Sequence, residues 1–330
     1  MSKSKWPQRM KLIAILAIGT ATLPHAAVAA PYPDKAIPLK IVVPFGAGSA
    51  VDAVGRALGR AITEVSGLNV VVDNKPGADS VIGMQAVHQA PSDGYTILLV
   101  SSSTPVLNPL ILPKQPLEIE RDFVAISAVA KNYPAVFNVG PSTPFKSVLE
   151  FIAAAKDSPG KYTYASATTT SLLAGQLFES VAGIRLVNIP YKTITSAVVG
   201  VAAGEVDLLI TDPGSVKAQW DSGRIRPLAV GAPSRLRSFP QIPTLLETGI
   251  HYELPAWFAT YFNSKTPPER VAAMRDIVRK AVQSPDFSSA LNRFYIEPFD
   301  IAGDELTALT KKDVESWGRV VRESKAREKK

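Results

Sequence analysis

Residues Gly46-Ala47-Gly48-Ser49-Ala50-Val51-Asp52 follow the apolar run "IVVPF" and open a helical pattern, the arrangement of a phosphate-binding loop. A dinucleotide fingerprint requires a third glycine where Val51 stands, and a nucleotide P-loop requires a Gly-Lys-Ser/Thr ending that is missing here. What the spacing does satisfy is a helix start. Ser49 takes the N-cap position and Asp52 falls three residues later, so each side chain is placed to accept a free backbone N–H. Gly46 and Gly48 also let a ligand approach bare amides at the positive end of a helix. Anion binding by dipoles is the chemistry such a turn offers.

Comparable polar junctions recur along the chain. Ser101-Ser102-Ser103-Thr104 follows "YTILLV", and Ser166-Ala167-Thr168-Thr169-Thr170-Ser171 separates a strand pattern from a helical one. Thr193, Thr195 and Ser196 follow "IPYK", and Asp212-Pro213 places an aspartate N-cap before a proline at the first helical position. Each alone is ordinary capping. Several of them at the ends of strands mark the edge at which open α/β sheets bind ligands. They supply hydroxyls and amides with almost no charge beyond Lys192, which suits a small carboxylate or another polar organic anion.

Catalytic chemistry is poorly provided for. The chain has no cysteine, which excludes disulfides, thiol nucleophiles and thiolate metal sites. Its three histidines are His25, His88 and His251. His88 falls in a helical pattern and His251 in a turn-rich one, neither beside a nucleophile motif, and no G-x-S-x-G is present. Histidines and acids show no metal-ligand spacing, and Glu118 and Glu120 read as solvated loop charge. No cofactor, metal or catalytic residue is expected; a secreted hydrolase is the different-class alternative.

The elements that must hold these loops are legible as alternation. The chain has 330 residues, 46% of them hydrophobic, enough for a substantial core. Strand patterns "LKIVVPF", "NVVVDN", "YTILLVS", "YTYASA", "LVNIPY", "VDLLITD" and "RPLAVGA" alternate with helical ones, which predicts an α/β fold with largely parallel sheets. "DFVAISAVAKNYPAVFNVG" is a long β-rich stretch interrupted by Asn132 and Pro134. Two closing helical patterns are amphipathic, one with Val271, Met274, Ile277, Val278 and Ala281 on a face, the other with Leu306, Leu309, Trp317, Val320 and Val321. They are expected to return over the first sheet, and two α/β halves joined by β-rich crossings imply a hinged pair of domains around a cleft.

The N-terminus follows another logic. "MSKSKWPQRMK" is basic, "LIAILAIGTATL" is apolar and "AVAA" ends in small residues, the three parts of a secretory signal with cleavage expected after Ala29. Its apolar core is shorter than the roughly 18 residues of a membrane span. Removing it lowers the net charge from +7 to +3, with 32 basic and 29 acidic residues left. The one dense basic run, "KAREKK" at the end, reads as a solvated tail, so no nucleic-acid partner is expected.

In order along the chain, "YPDKAIPLKIVVPFGAG…D", "VVVDNKPGADSVIG", "APSDGYTILLVSSS…NP", "YASA…SLLAGQLF", "IPYK", "GEVDLLITD", "RPLAV", "IPTLLETG" and "WFATYF…TPPERV" resemble the extracytoplasmic substrate-binding proteins of tripartite tricarboxylate transporters, the Bug receptors. The resemblance implies a two-domain periplasmic binding protein, each domain a mostly parallel sheet flanked by helices. Residues 30–130 and 253–330 would form one domain and 131–252 the other, after a signal over 1–29. It implies a small organic acid held in the interdomain cleft by Phe45, Gly46, Ala47, Gly48, Ser49, Ser101, Ser102, Ser166, Ala167, Thr168, Thr169, Thr170, Ser171, Thr193 and Asp212. It also implies a monomer that docks on membrane permease subunits, or else a receptor serving a sensor protein.

Three loops depart from the family pattern. Ser49 and Val51 replace the second glycine and the threonine of the first loop. The family's SAG-x-G-S/T-x-x-HLAG segment is shortened to "SATTTSLLAG", with Leu172 at the histidine position, and Thr193 replaces the glycine after "PYK". The expectation is an intact fold with an altered ligand or a lost binding function. Threonine hydroxyls can substitute for amides as donors, although β-branched residues resist the positive φ that glycine permits.

Overall fold

The computed structural model describes residues 32–328 except Pro113, Pro134, Glu253 and Pro255. The secretory signal, its cleavage point and His25 lie outside the described residues. Among those described, no helix is long and apolar enough to cross a membrane.

The first group of elements is β1 (Leu39–Val43), α1 (Ala50–Ser66), β2 (Val70–Asn74), α2 (Val81–His88) and β3 (Thr96–Ser101). A wide helical turn over Ser103–Leu107 then leads to two one-turn helices, α3 (Asn108–Ile111) and α4 (Ile119–Asp122), and to the long strand β4 (Phe123–Asn132). The second group runs β5 (Val136–Val139), α5 (Val148–Asp157), β6 (Thr163–Ser166), α6 (Thr169–Ala182) and β7 (Val187–Pro190). It continues through α7 (Ile194–Ala203), β8 (Leu208–Thr211), α8 (Pro213–Asp221) and β9 (Arg226–Val230). The chain closes with β10 (Ala256–Asn263), α9 (Pro268–Val282), α10 (Pro285–Asn292), β11 (Glu297–Ala302) and α11 (Asp304–Glu328).

These strands form two sheets, β11-β4-β10-β3-β1-β2 and β7-β6-β8-β5-β9. Both are mixed, which corrects the expectation of largely parallel sheets. Strands joined by helical crossovers are parallel: β1 with β2 and β3, and β6 with β7 and β8. The exceptions are β5 and β10, on which the chain changes sheet, and β11, which runs against β4. β5 enters the second sheet against both of its neighbours, and β10 returns to the first against β3 and β4. The aromatic run of β10, "AWFATYFN", is buried from its second residue to its last, a strand that the alternating reading passed over.

The helices are held by the faces their sequences predict. Val51, Val54, Leu58 and Ile62 recur at helical spacing on α1 and are all buried, each worth about 1.5–3 kcal/mol relative to exposure. Gly55 and Gly59 let α1 approach the sheet, since a Cβ at either would stand 3.1 Å from a valine methyl of Val43 or Val70. Met274, Val278 and Ala281 of α9 are buried in the same core as α1, and α9 packs against both α1 and β4. α11 buries Leu306, Trp317 and Val321 and packs on β4, β11 and also α6, whose strand neighbours lie in the other sheet.

Candidate functional site

Two adjoining cavities lie where strand ends of both sheets meet. The outer one, about 800 Å³, is walled by Phe45 and Gly46 after β1, by Gly77, Asp79 and Ser80 after β2, and by Ser101 and Ser103 at the end of β3. Its other wall is Ser166, Ala167, Thr168 and Thr170 after β6, with Leu172, and Asn188 and Tyr191 around the end of β7. The inner one, about 320 Å³, shares Ser101, Thr168 and Thr170 and adds Ser49, Ala50, Val51, Asn132, Ser171, Ile194 and Asp212.

The inner cavity collects helix starts. Ser49 caps α1, Thr168 caps α6, and Asp212 caps α8, while Ile194 is the first residue of α7. Each helix start carries roughly half a positive charge and amides without intrahelical acceptors. At α1, Ser49 Oγ accepts from the Asp52 amide at 3.2 Å, which leaves the N–H groups of Ala50 and Val51 on the cavity wall without an intrahelical acceptor.

Asp52 holds the turn before α1 from behind. Only 4% exposed, it accepts from Gly48 N at 2.9 Å, Asn74 Nδ2 at 2.9 Å and Arg56 Nε at 3.0 Å. Asn74 Nδ2 also donates to the Phe45 carbonyl at 3.1 Å, so both ends of the turn hang on one side-chain network. Burial, the largest influence, works to raise the Asp52 carboxyl, but the hydrogen bonds from Arg56, Gly48 and Asn74 outweigh it and hold it below the usual carboxylate value. The sequence reading had Asp52 close the box on the N-cap amide. Its carboxylate reaches one residue further back instead, because Gly48 adopts φ +83° and turns its N–H inward, while Ser49 N donates to the Gly46 carbonyl. The Gly48 amide is therefore spent on Asp52. Gly48 and Ala47 are exposed and line neither cavity.

The turn before α6 is held by hydroxyls. Ser171 Oγ accepts from Ala167 N at 2.9 Å and Thr168 N at 3.0 Å, and Thr168 Oγ1 accepts from Ser171 N at 3.1 Å. Thr168 sits in extended backbone at φ −141°, so losing glycines here imposes no strain. Ser166 Oγ donates to Asn188 Oδ1 at 2.7 Å. Thr169 is the first residue of α6, and Thr170 lines both cavities.

The remaining expected contacts fall into two groups. Asp212 reaches the inner cavity but also serves α8, accepting from Ser215 N at 2.9 Å and Ser215 Oγ at 2.7 Å. Ser102 lies behind the cleft: its amide donates to the Trp257 carbonyl at 2.7 Å, and it lines a space of about 40 Å³ against Trp317 and Asp313. Burial pushes the Asp313 carboxyl up, against the hydrogen bond it accepts from Trp257 Nε1 at 2.9 Å. Thr193 closes a capping box with Ser196 at the exposed start of α7 and lines neither cavity. Neither histidine of the described residues lines either of these two cavities; His88 ends α2 with its ring edge-on to Phe123. Among the described residues no cluster of histidine and acidic side chains could hold a metal ion.

Sequence reasoning missed the turn after β2. Ala78, Asp79 and Ser80 adopt φ +47°, +49° and +81°, three consecutive non-glycine residues in the left-handed region. Asn108 Nδ2 donates to the Asp79 carbonyl at 2.8 Å, and Ser80 Oγ pairs with Thr104 Oγ1 at 3.0 Å, which fixes this conformation. Pro76-Gly77 signalled a turn, but no residue type announced its hand. Asn132 was visible only as an interruption of the β-rich stretch; it lines the inner cavity from the end of β4.

The model of the tripartite tricarboxylate transporter family receptor matches residues 54–325. The protein BugT of Bordetella pertussis is 32% identical over 96% of this chain and 98% of its own length. A Pseudomonas sp. (strain P51) protein encoded between tcbD and tcbE is 33% identical over 88% of this chain and 86% of its own. Among solved structures, Rpa4515 of R. palustris with adipate is 26% identical, covers 89% of this chain and 98% of its own, and superposes with a TM-score of 0.77.

Proposed function

The chain belongs to the tripartite tricarboxylate transporter receptor family, whose members are periplasmic solute-binding receptors rather than enzymes, and on that premise we propose that it captures a small organic carboxylate in its cleft and delivers it to a transporter of this type. Residues 30–130 with 253–330, and residues 131–252, act as two jaws that close on the ligand. Cleavage of the N-terminal signal releases the receptor into the periplasm.

One observation carries the reading: the starts of α1, α6, α7 and α8 meet on the inner cavity. A carboxylate there lies at several positive helix ends and takes the N–H groups of Ala50 and Val51, with the hydroxyls of Ser49, Ser101 and Thr170 beside it. Among the described residues lining either cavity there is no lysine or arginine, so dipoles and hydroxyls hold the charge. The rest of the ligand extends into the outer cavity. The adipate held by Rpa4515, a relative of the same fold, is an anion of the required kind.

A thermal-shift screen of mono- and dicarboxylates against their neutral amides tests this. A ligand at 100 times its Kd stabilises the receptor by about 2.7 kcal/mol, a clear rise in Tm. A broad set of carboxylates that leaves Tm unmoved would refute the reading.

A further inference from the structure

Asn132 is 91% buried at the end of β4, and its Oδ1 is a buried acceptor with no hydrogen-bond partner. It lines the inner cavity opposite Ala256, its register partner on β10, with Phe258 and Ile210 on the same wall. None of these neighbours offers a side-chain donor. A buried carbonyl oxygen left unpaired is costly, and native structures leave few of them. A bare carboxylate would not relieve it, because carboxylate oxygens only accept and would face Oδ1 acceptor to acceptor. The cavity thus has donors at the helix starts and, buried in the wall that Asn132 lines, one unsatisfied acceptor.

We infer that the ligand carries a hydrogen-bond donor close to its carboxylate, a hydroxyl or ammonium group that donates to Asn132 Oδ1 while the carboxylate takes the helix-start amides. The inference rests on the proposed carboxylate-binding function and narrows it to hydroxy and amino acids. Asn132 is then the residue that separates such acids from plain ones. An ammonium group gains further from the Asp212 carboxylate on the same cavity.

Calorimetric titration of the receptor with butanoate, 2-hydroxybutanoate, 3-hydroxybutanoate and 2-aminobutanoate tests this. At least one substituted acid should bind about tenfold or more tightly than butanoate, the scale of one buried acceptor satisfied. Asn132→Leu, of similar volume and without an acceptor, should erase that advantage, so that substituted acids and butanoate bind the variant with the same affinity. Asn132→Asp, which can only accept when ionised, should keep the advantage and enlarge it for 2-aminobutanoate; this variant guards against a misfolded leucine variant. Equal affinity for butanoate and all its substituted forms overturns the inference but leaves the carboxylate reading standing. So does an advantage that survives Asn132→Leu, or an equal loss of affinity for all four acids in both variants, which would make Asn132 a donor to the carboxylate. If none of the four acids binds and no other carboxylate does, both fall together.

Discussion

At the start of α1 the loop amide of Gly48 is held by a carboxylate, Asp52, which is buried and braced by Arg56 and Asn74. At the start of α6 the loop amides of Ala167 and Thr168 are held by a hydroxyl, Ser171, which belongs to the loop's own cap. The two turns face the same inner cavity from different sheets. The first is fixed by a network that extends to β2 through Asn74, so its shape is set before any ligand arrives. The second satisfies itself locally, and its hydroxyl competes with any anion that would take the same amides. One turn is braced from β2, and the other is capped by its own hydroxyl, which holds amides that a ligand's oxygen could otherwise take.

The largest expected effect comes from filling the space both turns share. Ser49→Trp should weaken binding of any carboxylate ligand by about 100-fold, 2.7 kcal/mol, and also cost about 1 kcal/mol of stability through the lost cap of α1. Thr170→Trp should weaken binding equally from the start of α6. Unchanged affinity in both would remove the shared cavity as the site.

Next in size is the brace. Asp52→Ala strands the Gly48 amide and the Asn74 amide group and should cost about 2 kcal/mol of stability, read as a denaturant midpoint. Because the folded carboxyl sits below its ordinary value, its stabilisation is full above the ordinary carboxylate range and is lost as pH falls through it toward the folded value. Asp52→Asn should accordingly flatten the acid limb of the stability–pH curve. An acid limb identical to that of the parent chain would mean that Asp52 does not brace the turn.

The self-capped turn before α6 should respond differently. Ser171→Ala should cost the free receptor about 1 kcal/mol, as lost caps do, and the ligand-bound receptor less, since the ligand's oxygens replace the hydroxyl. The ligand-induced rise in Tm should therefore be larger in the variant than in the parent. A rise of equal size would show that Ala167 and Thr168 stay with the cap.

Smallest is relief of strain after β2. Asp79→Gly should raise stability by about 0.5 kcal/mol, the left-handed penalty removed less the extra freedom of the unfolded chain.

The sequence announced those parts of this site that follow from local patterns. Ser49 and Asp212 read as N-caps because a capping residue sits at a fixed offset from an apolar face, and both cap their helices. The apolar stripes of α1, α9 and α11 were legible for the same reason. Strand direction was not, because a hydrophobic run carries no sign of which way its neighbour runs; β5 and β10 turned both sheets mixed. Asp52 reached Gly48 rather than Ser49 because of one positive φ. Asn132, Asn188 and Tyr191 gain meaning only when residues far apart in sequence close the cavities, and no spacing rule reaches that distance.

The central claim is that a carboxylate is held at converging helix starts by its charge. Titration calorimetry of 2-hydroxybutanoate and of 2-hydroxybutanamide, its neutral counterpart, addresses it directly. The acid should bind one to one and the amide at least about tenfold more weakly, or 1.4 kcal/mol. Equal affinity for acid and amide would contradict it.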